Sequence, residues 1–303
     1  MKKIYNVNPD YIDVRLDKWF KRNVYEVPQS FIEKNIRKGK IKVNNKKTKS
    51  SYKLQKNDEV ITLNINYIYK KNNKKLDKYI PTKKDLSFSS KIFIENNANF
   101  VVINKPAGIA VQSGTNSKKN ILDILSQTQE FMNAKPYAVH RIDKETTGVL
   151  IVAKNRKFAQ LFTSLFRIRK IHKTYLGIVL GEMHQNKGTL IDDLYYYESN
   201  KKIIHRAITH FKVIDSNNKY SLLKLNPETG RKHQLRKQLL IHGCPILGDT
   251  KYQILNKPIN KKSSLMLHAY EIYFSINNVK YNFLAEPPAF FINTLKEKYL
   301  KTF

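Results

Sequence analysis

The run His140–Lys154, HRIDKETTGVLIVAK, decides how the rest of the chain is read. It opens with a short polar turn in which one acid, Asp143, lies between two cations, Arg141 and Lys144. The turn ends at Gly148 and feeds Val149, Leu150, Ile151, Val152 and Ala153, an unbroken apolar run with the composition of a buried strand. An aspartate presented by a tight turn at the mouth of a core strand is held rigidly, and nearby positive charge favours its carboxylate. A fixed carboxylate can serve as nucleophile or base. The commoner fate of an Asp before Thr and Gly is to cap its own turn, so the acid alone does not decide between the two.

Working outward, the whole chain is 303 residues, enough for one large domain and a small one. Its 56 Lys and Arg against 24 Asp and Glu give a net charge of +32. The abundance of Lys, Asn and Ile is what AT-rich coding produces, but such drift should raise Asp and Glu as well. A polyanionic partner, nucleic acid, is the better account, and no long basic amphipathic helix argues for a membrane surface. Only ten of the basic residues are Arg, and seven of these lie between Arg141 and Arg236, as expected where planar bidentate donors are needed. Cys244 is the single cysteine and reads as a small packed side chain, so disulfide frameworks are excluded. The His residues lack metal-ligand spacing, and no metal or cofactor is expected. MKKIYNVNPDY at the amino terminus has no apolar core of a signal sequence. No stretch approaches 18 apolar residues, so a soluble, cytoplasmic protein without a membrane partner is expected.

Two modules follow from the pattern. Over residues 13–65, Leu16, Trp19 and Phe20 share one helical face, and Phe31, Ile32 and Ile36 form a second. Gly39 stops that helix, Ile41 and Val43 alternate before the turn at Asn44 and Asn45, and Asp58–Thr62 closes as a strand. Residues 66–90, rich in Lys and Asn around Pro81, read as a basic linker. From 91 to 303 the texture is strands with interspersed helices. Strands are expected at Ile92–Ile94, Phe100–Ile103, Tyr175–Val179, Ile208–Ile214 and Tyr220–Leu225, with helices at Ile121–Leu125 and Phe158–Phe166. The fold class is α+β, with a mixed, mainly antiparallel sheet in the large domain beside a small α/β domain.

The fifteen-residue run resembles the signature of the pseudouridine synthases of the large-subunit type, with Asp143 at the position of their indispensable acid. Asn104–Gly108 (NKPAG), Lys173–Tyr175 (KTY), Thr229–Arg236 (TGRKHQLR) and the stretch PILGDTKY around Gly248 and Asp249 match further motifs of that family. Residues 13–65, with RKGKIKVNNKK at the helix–strand junction, resemble the S4 RNA-binding domain. The resemblance implies that Asp143, Tyr175 and Arg236 are catalytic: Tyr175 packs on the target uracil and Arg236 pairs with the carboxylate. It implies RNA contacts from Arg141 and Arg231, and from Arg37, Lys38, Lys40 and Lys42 on the edge of the S4-like module. Cations at a helix carboxyl end are favoured in any case, so that module's charge alone is weak evidence. Thr229 reads as a helix cap, which would put Arg231 and Arg236 in the first helical turns, on different faces. Asp249 is expected to be structural. The chain departs from the family at Lys237 and Gln238, where relatives carry a hydrophobic residue and a His.

The implied activity is isomerisation of specific uridines to pseudouridine in RNA. The substrate expected is large-subunit ribosomal RNA or an assembling ribosomal particle, acted on by a monomer without a cofactor. The small-subunit branch typically has Gly where this chain has His140. The reaction needs the nucleotide out of its stack, at a few kcal/mol, which stacking on an aromatic ring, worth roughly 1–3 kcal/mol, would largely offset. Attack at C1′, addition to C6 and removal of the C2′ proton all need an ionised Asp143 and stay open. The alternative from another class is a non-catalytic S4-type RNA-binding factor of ribosome assembly. It accounts for the charge and the first module but not for the matched contexts of Asp143, Tyr175 and Arg236.

Overall fold

The computed structural model describes residues 2–25, 27–65, 79–89, 91–113, 119–198, 201–253 and 264–302. The chain divides into two compact units, Met1–Asn73 and Lys74–Phe303.

In the first unit, β1 (Lys2–Asn6) precedes α1 (Leu16–Asn23), α2 (Gln29–Arg37), β2 (Ile41–Val43) and β3 (Glu59–Leu63). The strands pair antiparallel in the order β1-β3-β2. The expected stripes form its core: Leu16, Trp19 and Phe20 from α1 pack with Ile32 and Ile36 from α2 and with Ile41, Val43 and Val60. Gly39 takes φ +67°, a left-handed turn that ends the second helix at no steric cost. The unit starts earlier than residue 13, because Lys2–Asn6 adds an edge strand to β3.

The second unit contains α3 (Lys83–Ser89), β4 (Phe93–Asn96), β5 (Phe100–Lys105), α4 (Ile121–Leu125), β6 (Tyr137–Ala138), β7 (Thr147–Ala153) and α5 (Arg156–Arg167). There follow β8 (His172–Leu180), β9 (Lys187–Glu198), β10 (Lys201–Asn217), β11 (Tyr220–Pro227), α6 (Gln234–Ile241), β12 (Leu267–Ile276), β13 (Val279–Leu284) and α7 (Ala289–Glu297). Among the described residues, ten strands form one sheet in the order β4-β5-β7-β12-β8-β11-β10-β9, with β13 beside β12 and β6 beside β7. Every pair is antiparallel except β7–β12. The mixed, mainly antiparallel α+β class is therefore present as expected.

Most of the expected linker, 66–78, lies outside the described residues. Residues 79–89 are not a connection but part of the second unit. Asp85, buried, accepts hydrogen bonds from the Tyr79 hydroxyl (2.6 Å) and the Thr82 backbone (2.9 Å) and pairs with Lys119, while Tyr79 and Phe88 pack on the core. Two apolar residues were too few to signal a helix.

All seven residues of β7 are buried. Its alternate side chains feed different clusters, Leu150 and Val152 on one face, Val149 and Ile151 on the other. At its start Gly148 has φ +109°, and a Cβ there would collide with the Ala269 carbonyl of β12. Only glycine allows β7 and β12 to meet, and the strand they form delivers the Asp143 turn to its place.

Candidate active site

A cleft of about 580 Å³ opens where the turn before β7, the start of β8, the segment after β11 and the start of α6 converge. It is lined by His140, Arg141, Asp143, Thr146, Lys173, Tyr175 and Glu228–Arg236, among others. Residues 93 positions apart in sequence thus meet in one hollow.

The Asp143 wall is held mainly through backbone atoms. Thr146 N–H donates to the Asp143 carbonyl (3.2 Å), closing the turn. Lys105, wholly buried, donates from Nζ to the carbonyls of Pro106 (2.7 Å), Ile109 (2.9 Å) and Lys144 (3.1 Å), and Gly108 N–H also donates to Lys144 (3.0 Å). The NKPAG turn therefore supports the Asp143 turn from behind. Burial pushes the Lys105 amine down to about 7, and the charges of Glu145 and Asp143 pull against that shift. His140 accepts the Ile151 N–H at Nε2 (2.9 Å) and stacks on Phe166, ring centroids 4.6 Å apart. Burial, reinforced by Lys173, lowers its pKa to about 3, so the ring is neutral and its proton sits on Nδ1. His140 Nδ1 and Thr146 Oγ1 are buried without a hydrogen-bond partner among the described residues.

The facing wall is held through side chains. Arg236 in α6, almost fully buried, forms a fork to Asp249, Nε–Oδ2 2.7 Å and Nη2–Oδ1 2.8 Å, and turns Nη1 toward Asp143 Oδ2 at 3.4 Å. Asp249 Oδ1 also accepts the backbone N–H groups of Lys251 (2.8 Å) and Tyr252 (2.9 Å). Burial opposes its ionisation, but Arg236 and those N–H groups hold its carboxyl below the usual range. Burial likewise disfavours the Arg236 cation, and the two acids more than offset this. The primary partner of Arg236 is thus Asp249; Asp143 receives its third nitrogen. Asp249 is structural as expected, and its role is specific: it aims the guanidinium.

His233 and Tyr252 complete this wall, and neither was singled out in the sequence. His233 Nε2 lies 3.8 Å from Asp143 Oδ1, and its Nδ1 is 2.8 Å from the Tyr252 hydroxyl. The Tyr252 ring also lies under the Arg236 guanidinium, 5.1 Å from its centroid. His233 occupies the left-handed region (φ +54°), uncommon for a residue with a side chain and characteristic of sites where surroundings over-determine the backbone. His233 stood inside the quoted TGRKHQLR run; its partnership with Tyr252 across 19 positions had no local signal.

Tyr175, in β8, is half-buried at the cleft between the two largest hydrophobic clusters. Burial, then the charge of Asp143, pushes its phenol up, so the hydroxyl stays protonated. Lys173 lines the same floor and is pushed down by burial. Arg141 is exposed at the mouth, where Arg231, also exposed, donates from Nε to the Arg206 carbonyl (3.2 Å). The charged partner of Asp143 among the described residues is Arg236, with His233 beside it at 3.8 Å, and not its sequence neighbours Arg141 and Lys144.

The start of α6 differs from expectation. The helix begins at Gln234 with His233 as its cap, so Arg231 precedes it and only Arg236 lies in its first turn. The Thr229 hydroxyl is engaged elsewhere: it accepts the Ile208 N–H (2.9 Å) and donates to Gln234 Oε1 (2.7 Å), tying the segment to β10. Gln238, an atypical residue for the resembled family, is fully buried and donates to Asp192 (2.7 Å) while accepting from Thr209 (2.7 Å), fastening α6 to β9 and β10. In the first unit, Arg37, Lys38 and Lys40 are exposed and Lys42 is half-buried.

An acid beside a guanidinium, a half-buried tyrosine and an open rim of arginines form a hollow that can take a polyanion bearing a planar ring. Comparison with known proteins gives the class: the profile described as RNA pseudouridylate synthase matches residues 99–240, and that of the S4 domain matches residues 14–60. The chain belongs to the RNA pseudouridylate synthase family. Among individual relatives, "Ribosomal large subunit pseudouridine synthase C" of Rickettsia felis is 33% identical over 94% of this chain and 97% of its own length. The protein of the same name from Buchnera aphidicola subsp. Baizongia pistaciae is 32% identical over 93% and 92%. The solved structure of human RNA Pseudouridylate Synthase Domain Containing 4 superimposes with a TM-score of 0.63 at 26% identity, over 72% of this chain and 98% of that one.

Proposed function

We propose that this enzyme isomerises uridine to pseudouridine in large-subunit ribosomal RNA, with Asp143 as the catalytic carboxylate. The observation that carries the reading is the placement of Asp143: partly exposed in the cleft, 3.4 Å from an arginine that a second, buried acid holds in position. The reaction breaks the N-glycosidic bond of uridine and rejoins the base through C5, so that the C5 proton leaves and N1 gains one. It needs no redox partner. Tyr175 offers the half-buried ring against which an extruded uracil stacks. Arg236 faces the carboxylate at 3.4 Å, and C1′ attack, C6 addition and C2′ deprotonation all use that carboxylate in its ionised form.

Arg141 and Arg231 at the rim, and Arg37, Lys38, Lys40 and Lys42 in the module of residues 13–65, supply phosphate contacts. The catalytic module of residues 91–303 acts on the nucleotide presented to it. In this reading the enzyme acts as a monomer in the cytoplasm; no helix among the described residues is long and apolar enough to cross a membrane.

Tritium release from 5-labelled uridine in a large-subunit ribosomal RNA transcript tests the activity directly. The wild-type chain should liberate label, and Asp143→Asn should reduce release to background while RNA binding survives. Binding without release in the wild type would instead identify a non-catalytic RNA-binding assembly factor.

A further inference from the structure

The hairpin of β9 and β10 extends past its neighbour. β11 pairs with β10 only from Thr209 onward, so among the described residues β9 is the sole strand partner of Lys201–Ile208. The two faces of this arm differ. Leu190, Leu194, Ala207 and Thr209 are buried on the inner face, where Gln238 of α6 reaches Leu190 and Thr209. The outer face carries Ile191 opposite Ile208, Asp193 opposite Arg206, and Tyr195 opposite Ile204. Of these, Ile191, Tyr195 and Ile204 are 51%, 55% and 57% exposed, an apolar and aromatic stripe interrupted by the charged pair of Asp193 and Arg206.

The stripe runs into the cleft. Along β10 the same face continues from Ile204 through Arg206 and Ile208 to His210, whose Nε2 meets Glu228 at 2.7 Å, and Glu228 lines the cleft. Beside it, the cleft residue Arg231 holds the Arg206 carbonyl, and Lys237 of α6 donates to the Tyr195 carbonyl (3.2 Å). From Ile204 to Ile208 is roughly 13 Å at about 3.3 Å per residue, a reach suited to a short length of nucleic-acid strand.

We propose that this outer face is a stacking platform for the single-stranded RNA flanking the nucleotide held in the cleft, with Tyr195 as the ring for a base and Arg206 as a phosphate contact. The inference rests on the pseudouridine synthase reading and extends it to the substrate's neighbouring nucleotides. Three exposed apolar side chains fall far short of the roughly 800 Å² per partner of a stable protein interface, yet one aromatic ring suffices for a base. Extruding a nucleotide breaks the stacking of its neighbours, and an exposed tyrosine at the lip of the cleft replaces part of it. The cations around the stripe complement phosphate. Its remaining acid is Asp193, opposite Arg206; Glu228 is engaged by His210 and Arg169.

The test uses the full chain and an in vitro transcript of large-subunit ribosomal RNA. Tyr195→Ser should weaken binding on the order of tenfold and leave kcat at saturating RNA unchanged; Tyr195→Phe should bind as wild type. Asp193→Asn, which removes a charge facing the proposed phosphate path, should tighten binding. A photoreactive phenylalanine analogue at position 195 should cross-link to nucleotides adjacent to the modified uridine. Unchanged affinity in Tyr195→Ser, or a change only in the oligomeric state of the protein, overturns the proposal. If the wild type binds the transcript but releases no tritium, the isomerase reading has failed instead, while the binding measurements still judge the platform.

Discussion

One wall of the cleft is a turn anchored by backbone hydrogen bonds, by a buried lysine under three carbonyls and by a neutral histidine stacked on Phe166. The other is a set of charged side chains that hold one another: Asp249 grips Arg236, Arg236 faces Asp143, and Tyr252 lies against both Arg236 and His233. The first wall fixes where the carboxylate is. The second fixes what charge it meets. Damage to the first should therefore register mainly as lost stability, and damage to the second as lost turnover together with stability.

The sharpest way to break that contrast is Asp249→Asn. It halves the fork and leaves a buried guanidinium without its counter-charge, which typically costs about 3–5 kcal/mol, read from urea unfolding. Because Arg236 loses its aim toward Asp143, tritium release should also fall on the order of 10²-fold in the protein that remains folded. Full turnover in Asp249→Asn would mean that Arg236 does not act on the carboxylate.

A smaller effect, confined to the opposite wall, comes from acid. The His140 pKa of about 3 in the folded chain lies below the roughly 6.5 of an unfolded imidazole. The unfolded chain therefore binds the extra proton, and stability is complete above about pH 6.5 and declines as pH falls toward about 3. His268, at about 4, adds to the same slope. Between pH 6.5 and 5, before carboxylates titrate, His140→Gln should show a shallower loss of stability than wild type; parallel curves would refute a buried neutral His140.

The smallest effect belongs to the rim. Arg231→Ala should leave turnover at saturating RNA largely intact. It should lower the slope of log affinity against log salt by about 1, as expected for one lost phosphate contact.

The same contrast explains what could be read from the sequence. The Asp143 wall was legible because its parts are contiguous: the turn, Gly148 and the apolar run of β7 lie within fifteen residues. The Arg236 wall was half legible. Arg236 and Asp249 were both marked, but their fork, and the partnership of His233 with Tyr252, joins residues 13 and 19 apart that no helical or strand period connects. Thr229 misled because a hydroxyl before a polar run looks like a cap, whereas a neighbouring strand's N–H claimed it. β9 went unread because Asp192 and Asp193 interrupt its alternation, and Asp192 is tolerated there since Gln238 donates to it. Strands β12 and β13 close a sheet whose order, β7 beside β12, is not a sequential one.

That last pairing bears on how the protein is made. Gly148 packs on Ala269, and Thr147 pairs with His268, so the end of β7 next to the Asp143 turn gains its neighbour on that edge only from the final fifth of the chain. During synthesis the S4 module has all its strands within the first 63 residues and can fold early, as amino-terminal modules generally do. A nascent polypeptide of this enzyme thus acquires its RNA-gripping part long before its chemistry, and does so on the very kind of particle whose RNA it is proposed to modify.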